Sequence, residues 1–269
     1  MPELPEVETT VRGLERVLLG RRIVRAETRR ADLRRAFPDG LGQRLVGARV
    51  TGLGRRAKYG LIATDRGDTL VFHLGMSGKW LIDRPAEKHD HFLIETDEGT
   101  RLALNDSRRF GSIDLVATEA LGEWPSIAAL GPEPFDLDAP ALKASLDGRK
   151  AAIKLLLLDQ RIVAGMGNIY VCEALFRARI NPRRAGGSVS LNRLERLTPA
   201  IVAVLEEAIA AGGSSLRDFT SPDGELGYFS KTFEVYGREG NACVGSCGGT
   251  VRRIVQGGRS TFYCPSCQR

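Results

Sequence analysis

Four of the chain's five cysteines fall in its last stretch, as Cys243 and Cys247, then Cys264-Pro265-Ser266-Cys267. The segment from about residue 242 carries too few apolar side chains to fold without a staple. Four thiolates in two close pairs suit a tetrahedral structural zinc ion, with no position left open for water. The first pair has three intervening residues rather than the commoner two, still within the range of zinc knuckles. Between the pairs, residues 250–256 and 260–263 read as strands around Gly257-Gly258, a hairpin with a glycine turn. Arg259 stands beside the tip. Its guanidinium there either reaches a phosphate bidentately or is simply a solvated loop charge.

Upstream, residues 5–19 read as an amphipathic helix, with Val7, Val11, Leu14 and Leu18 at helical spacing and Gly20 as its stop. From Arg22 to about Ala117 the pattern is mostly strand, with Leu70, Phe72 and Leu74 alternating and glycines between the runs. This predicts a β-sandwich or barrel-like domain behind one leading helix. Gly131-Pro132-Glu133-Pro134 and Asp138-Ala139-Pro140 read as linker. Beyond them residues 141–158, 168–177 and 191–211 read as helices, the last with a stripe from Leu194 to Ile209. Cys172, on the 168–177 helix, reads as a buried core residue. The expected divisions are 1–131, a linker and first helical stretch at 132–150, a helical part at 151–235 and a zinc finger at 236–269. The fold class is α+β and multidomain.

The 269 residues hold 39 Lys and Arg against 33 Asp and Glu, a formal charge of +6. A basic balance favours a polyanionic partner, although the excess is modest. No stretch is long enough to span a membrane, and no basic segment precedes an apolar run at the N-terminus, so the expected location is the cytoplasm. In that compartment five cysteines mean metal and a spare thiol rather than disulfides.

The N-terminus reads Met1-Pro2-Glu3-Leu4-Pro5-Glu6-Val7-Glu8. With Met1 removed, Pro2 carries a free secondary amine, a nucleophile able to form an iminium at a sugar carbon. Nearby carboxylates can move the protons such a reaction needs. A small second residue permits methionine removal, so the mature chain is expected to begin at Pro2. Acids at a helix start also suit the dipole alone, which accounts for Glu6 and Glu8 without chemistry.

That octapeptide, Arg55-Arg56-Ala57-Lys58-Tyr59, His73-Leu74-Gly75-Met76-Ser77-Gly78, Asp106-Ser107-Arg108-Arg109-Phe110-Gly111, Gly165-Met166-Gly167-Asn168-Ile169-Tyr170 and the cysteine tail occur in one order. Together they resemble the bacterial formamidopyrimidine-DNA glycosylase family, also called Fpg or MutM, from residue 2 to the last cysteine. The resemblance implies an N-terminal helix and β-sandwich, a helical domain with a helix–two-turns–helix element, and a C-terminal zinc-finger hairpin holding one structural zinc. It implies excision of oxidised purines, 8-oxoguanine and formamidopyrimidines, from double-stranded DNA. Excision proceeds through a Schiff base on the N-terminal proline and ends in β,δ-elimination at the abasic site.

By the same resemblance Pro2 is the nucleophile and Glu3 the general acid/base. Glu6 is a second carboxylate of lesser role, and Lys58 meets phosphate near the lesion and assists the chemistry. Met76, Arg108 and Phe110 fill the gap left by the everted base. Asn168 and Arg259 clamp phosphate, although Asn168 also fits an ordinary N-cap. Lys154 is a further phosphate contact, and His91, with His89, faces DNA. Residues 217–231 close over the everted base. The protein is expected to act as a monomer, associated with the nucleoid through DNA. Its nearest rival is an endonuclease VIII-like enzyme for oxidised pyrimidines, against which Leu4 and the Met76, Arg108, Phe110 set count. A catalytically silent zinc-ribbon DNA-binding protein is the rival from another class.

Overall fold

In the computed structural model, which describes residues 2–214, 221, 222, 224 and 227–269, the chain opens with helix α1 (Leu4–Leu18). Leu4, Val7, Val11, Leu14 and Leu18 fall on one face of it and are all buried. Pro5 stands in the first turn, where its missing N–H costs no helical bond. The left-handed Gly20 then turns the chain, and its N–H donates to Val50 O at 2.9 Å.

The strands that follow are β1 (Ile23–Thr28), β2 (Val50–Arg56), β3 (Tyr59–Thr64), β4 (Asp68–His73), β5 (Lys79–Ile82), β6 (Asp90–Thr96), β7 (Arg101–Asn105) and β8 (Ser112–Ala117). They form two antiparallel four-stranded sheets, ordered β1-β6-β7-β5 and β2-β3-β4-β8. Along β3 burial alternates residue by residue, as expected of a strand with one face covered. The core between the sheets takes the buried face of α1 and an aromatic row: Phe72 meets Trp80 edge-on at 5.6 Å, and Trp80 meets Phe92 at 6.2 Å. The tip of the Phe72 ring fills the space beside Gly60 on the neighbouring strand, where a Cβ would fall 2.0 Å from Cζ.

Two departures from the sequence reading have local causes. The span expected to be mostly strand also contains a short helix, α2 (Leu41–Leu45), whose two end leucines are buried; five residues are too few to show a helical period. After α3 (Pro125–Ala128), the single helix expected over 141–158 is two helices, α4 (Ala139–Leu146) and α5 (Ile153–Leu157). Asp138 caps α4 by accepting from the Ala141 N–H at 2.7 Å. Asp147 leaves the helix and Gly148 turns left-handed at φ +71°. Ala152 then bridges Ala185 before α5 begins.

Helices α6 (Asn168–Arg177) and α7 (Leu191–Ala210) follow, then the hairpin of β9 (Arg252–Gln256) and β10 (Arg259–Tyr263). The chain divides into two compact units, Met1–Ala128 with Ile209–Ser230, and Ala129–Ala208 with Lys231–Arg269. In the second, Cys172 is buried as expected, packed with Phe176, Val235, Val251 and Phe262 around the hairpin. Among the described residues no helix is long and apolar enough to cross a membrane.

Candidate active site and nucleic-acid interface

Pro2 and Glu3 are both buried at the mouth of α1. Glu3 is the N-cap: its side chain takes the Glu6 N–H, while Glu6 Oε2 takes the Glu3 N–H at 2.8 Å. This is a capping box with a carboxylate where a serine or threonine usually stands. Glu6 Oε1 accepts twice more, from Ser214 N–H at 2.8 Å and Ser214 Oγ at 2.9 Å. At 2% exposure Glu6 is a buried carboxylate with both oxygens engaged, which suits holding the turn better than moving a proton. The positive end of α1 bears on the same turn.

Lys58 completes the two-residue turn between β2 and β3, after Ala57 at φ +52°, and is only 7% exposed. The turn is held from α1: Arg55 donates through Nη1 to Ala57 O and through Nε to Glu8 Oε2, both at 3.0 Å. Arg12 Nε occupies the other Glu8 oxygen at 2.8 Å. Glu8, which the helix dipole alone accounts for in the sequence, therefore also links the helix to the lysine's turn. Nearby, burial first and then the charges of Lys58, Arg34 and Arg35 push the His73 imidazole down to about 4.

Met76 is half-buried in the turn joining β4 to β5, while Arg108 and Phe110 are exposed in the turn joining β7 to β8. Phe110 is 43% exposed, and the Arg108 guanidinium lies 5.0 Å from its ring centroid. The glycines around them do mark turns, as the sequence suggests. His91 is buried, and its Nε2 donates to Asp106 O at 2.9 Å. Burial, ahead of the Asp106 hydrogen bond that opposes it, lowers its affinity for protons. His89 beside it is half-buried, with its ring 6.1 Å from that of His91. Of the segment 217–231, only 221, 222, 224 and 227–231 lie among the described residues. Pro222 O accepts from Ile82 N–H at 3.2 Å, and Gly13 on α1 is the surface Pro222 packs on.

In the second unit Asn168 is the first residue of α6, and Gly167 is the cap, so Asn168 is not an N-cap. Its Nδ2 instead donates to Ser260 O at 2.8 Å and Tyr236 Oη at 3.3 Å, which joins α6 to β10. Gln160 braces the glycine turn before it, taking the Gly165 N–H and giving to Met166 O, each at 2.9 Å. Lys154 has no exposed surface and sits 3.5 Å from the same Ser260 carbonyl. Arg259 is exposed and opens β10, after Gly257 and Gly258, whose positive φ values suit a tight hairpin turn. Glu173, missed from sequence, is wholly buried and accepts from the backbone N–H groups of Glu234, Val235 and Tyr236 at 2.8 to 3.1 Å. Burial raises its affinity for protons against those three bonds.

The Sγ atoms of Cys243, Cys247, Cys264 and Cys267 all lie within 4.8 Å of one another. Two cross pairs, Cys243–Cys267 and Cys247–Cys264, are 3.6 Å apart. A tetrahedron with zinc–sulfur bonds of about 2.3 Å has edges of about 3.8 Å, so this donor set fits zinc. Backbone N–H groups of Gly245 and Gly249 donate to Cys243 and Cys247 Sγ at 3.4 Å, as the second layer of a thiolate site requires. A Cβ at either glycine would crowd a sulfur at 3.0 Å.

A sandwich led by a capped, buried N-terminal turn, a helical module and a four-thiolate hairpin together define a multidomain zinc-finger protein of the α+β class. Residues 1–113 match the formamidopyrimidine-DNA glycosylase N-terminal domain, residues 130–220 its H2TH domain, and residues 245–269 the zinc finger found in FPG and IleRS. The chain is 67% identical to the formamidopyrimidine-DNA glycosylase of Novosphingobium aromaticivorans over the whole of both chains. It superposes at a TM-score of 0.92, with 34% identity and full coverage of both chains, on a Lactococcus lactis FPG variant in complex with DNA containing Fapy-dG. The same values hold for the Lactococcus lactis Fpg in complex with DNA containing an abasic site. The chain belongs to the formamidopyrimidine-DNA glycosylase family.

Proposed function

We propose that this protein is a bifunctional DNA glycosylase and abasic-site lyase that excises oxidised purines, 8-oxoguanine and formamidopyrimidines, from double-stranded DNA. The observation that carries the reading is the N-terminal turn. Pro2 is held buried beside Glu3, and the capping box with Glu6 fixes both at the positive end of α1. Once Met1 is removed, the Pro2 nitrogen is a secondary amine with a lone pair to give. It bonds to C1′ of the damaged nucleotide and sheds its N–H proton, while the bond from C1′ to the base breaks and the base leaves with that electron pair and takes up a proton. Glu3 donates a proton to the ring oxygen as the C1′–O4′ bond opens, leaving an iminium on Pro2. Loss of a C2′ proton then expels the 3′ phosphate, and a second elimination expels the 5′ phosphate.

The remaining residues bind and orient. Met76, Arg108 and Phe110 occupy the void in the stack, which a flipped base must leave behind. Lys58, Asn168 and Arg259 hold phosphate, with Arg259 offering a two-pronged donor from the hairpin. For buried Lys154 and His91 the reading is support of that surface from beneath. Zinc supplies structure to the hairpin and no chemistry. The functional parts are 1–131 for chemistry, 132–150 as linker, 151–235 for phosphate grip and 236–269 as the finger. The protein acts as a monomer and sits on the nucleoid through DNA. Matched duplexes carrying 8-oxoguanine or thymine glycol test the substrate class. Faster cutting of 8-oxoguanine is expected, and equal or faster cutting of thymine glycol contradicts it in favour of an oxidised-pyrimidine enzyme.

A further inference from the structure

The two turns that carry Met76, Arg108 and Phe110 hang from one buried side chain. Asp106 has no exposed surface and stands where β7 ends. Its Oδ1 accepts the Ser77 hydroxyl at 2.6 Å and the Arg108 N–H at 3.3 Å, and its Oδ2 accepts the Gly111 N–H at 2.8 Å. Ser77 Oγ itself accepts from the Arg108 N–H at 3.2 Å. The backbones touch as well: a Cβ on Gly75 would lie 2.3 Å from the Phe110 carbonyl carbon, and one on Gly111 would lie 2.9 Å from His73 O. Beneath, Asp106 is held by its own main chain, donating to His89 O at 3.0 Å and accepting from the Arg109 N–H at 3.3 Å and His91 Nε2 at 2.9 Å. Burying a carboxylate is costly, and these bonds offset that cost only while both turns keep their places.

We propose that Asp106, acting through Ser77, is a positioning residue that couples the Met76 turn and the Arg108–Phe110 turn into one rigid wedge, so that all three tips enter the stack as the base leaves. The inference rests on the wedge reading given above. Two independent turns would each lose conformational freedom on insertion, whereas a coupled pair has lost it on folding. The coupling matters while a paired base is being displaced. It matters little where the base is already gone.

The test compares single-turnover excision from a duplex with a paired 8-oxoguanine against strand cleavage at a preformed abasic site. Ser77→Ala removes the bridging hydroxyl. Asp106→Asn sets an amide N–H against a backbone donor. Each is expected to slow excision by about tenfold, the worth of one hydrogen bond to a charged group, and to leave abasic-site cleavage nearly unchanged. Ser77→Ala combined with Phe110→Ala is expected to cost less than the sum of the two singles, because an uncoupled wedge has less to lose. Equal loss of both reactions, no loss of excision, or strict additivity overturns the proposal. Should Asp106→Asn fail to fold, Ser77→Ala and its double variant decide alone. If Met76→Ala and Phe110→Ala themselves leave the ratio of the two reactions unchanged, the wedge reading fails; if they change it and Ser77→Ala does not, only the coupling fails.

Discussion

Among single side chains, those legible in the sequence are the ones whose chemistry is scarce. A proline at position 2 beside an acid and four paired cysteines each have few uses. The side chains that hold them in place were illegible, because their partners lie far along the chain. Glu8 bonds Arg55, Glu6 bonds Ser214, and Glu173 bonds a backbone stretch some sixty residues on. His73 is the sharpest case. The sequence assigns it no individual role, yet its Nδ1 accepts the Gly75 N–H at 2.9 Å beside the Met76 turn, and burial with nearby cations lowers its pKa to about 4. Its folded-state pKa is below the unfolded value of about 6.5, so the unfolded chain binds the proton first as pH falls. Stability from this residue is complete above about pH 6.5 and is lost towards pH 4. Between about pH 7.5 and pH 5 the loss is about 2 kcal/mol. His73→Asn keeps an acceptor for Gly75 and does not titrate. Urea midpoints at the two pH values should therefore fall less in the variant than in the wild type, and parallel falls would refute the assignment.

Among the elements, those with a strong repeat were legible. The stripe of α1, that of α7 and the glycine turn of the hairpin are all visible in the chain. Short elements were not. Leu41–Leu45 is below the length at which a period shows, and the Asp147-Gly148 stop inside 141–158 was overrun by an apolar pattern that resumes beyond it. The hairpin depends on its metal as well as its core, since no β9 side chain is buried and burial in β10 is confined to Thr261, Phe262 and Tyr263. Chelating the zinc is expected to unfold residues 243–267 and to expose Phe262 and Val251, with recovery on adding zinc back. Because Arg259 opens β10, affinity for an abasic-site duplex should weaken by about a hundredfold with it. Circular dichroism and a binding titration on the same sample check this. Unchanged affinity with an unfolded hairpin would remove Arg259 from the phosphate grip.

For the molecule as a whole, order along the chain was the most legible property. One helix leads, strands follow, helices come next and the paired cysteines last, and the family match covers that order from end to end. What could not be read is that the chain returns to its first unit near residue 209, since a helix gives no sign in sequence of which core will receive its end. The chemistry proposed for the protein needs one event outside the fold, the removal of Met1, because a Pro2 nitrogen in a peptide bond has no lone pair to give. The decisive measurement is borohydride trapping on an abasic-site duplex, read by intact mass and peptide mapping. The expected product is one covalent DNA adduct on a chain that begins at Pro2, mapped to the Pro2 nitrogen and absent from protein that retains Met1. An adduct mapped to a lysine, or formed equally well by the Met1-bearing chain, would contradict it.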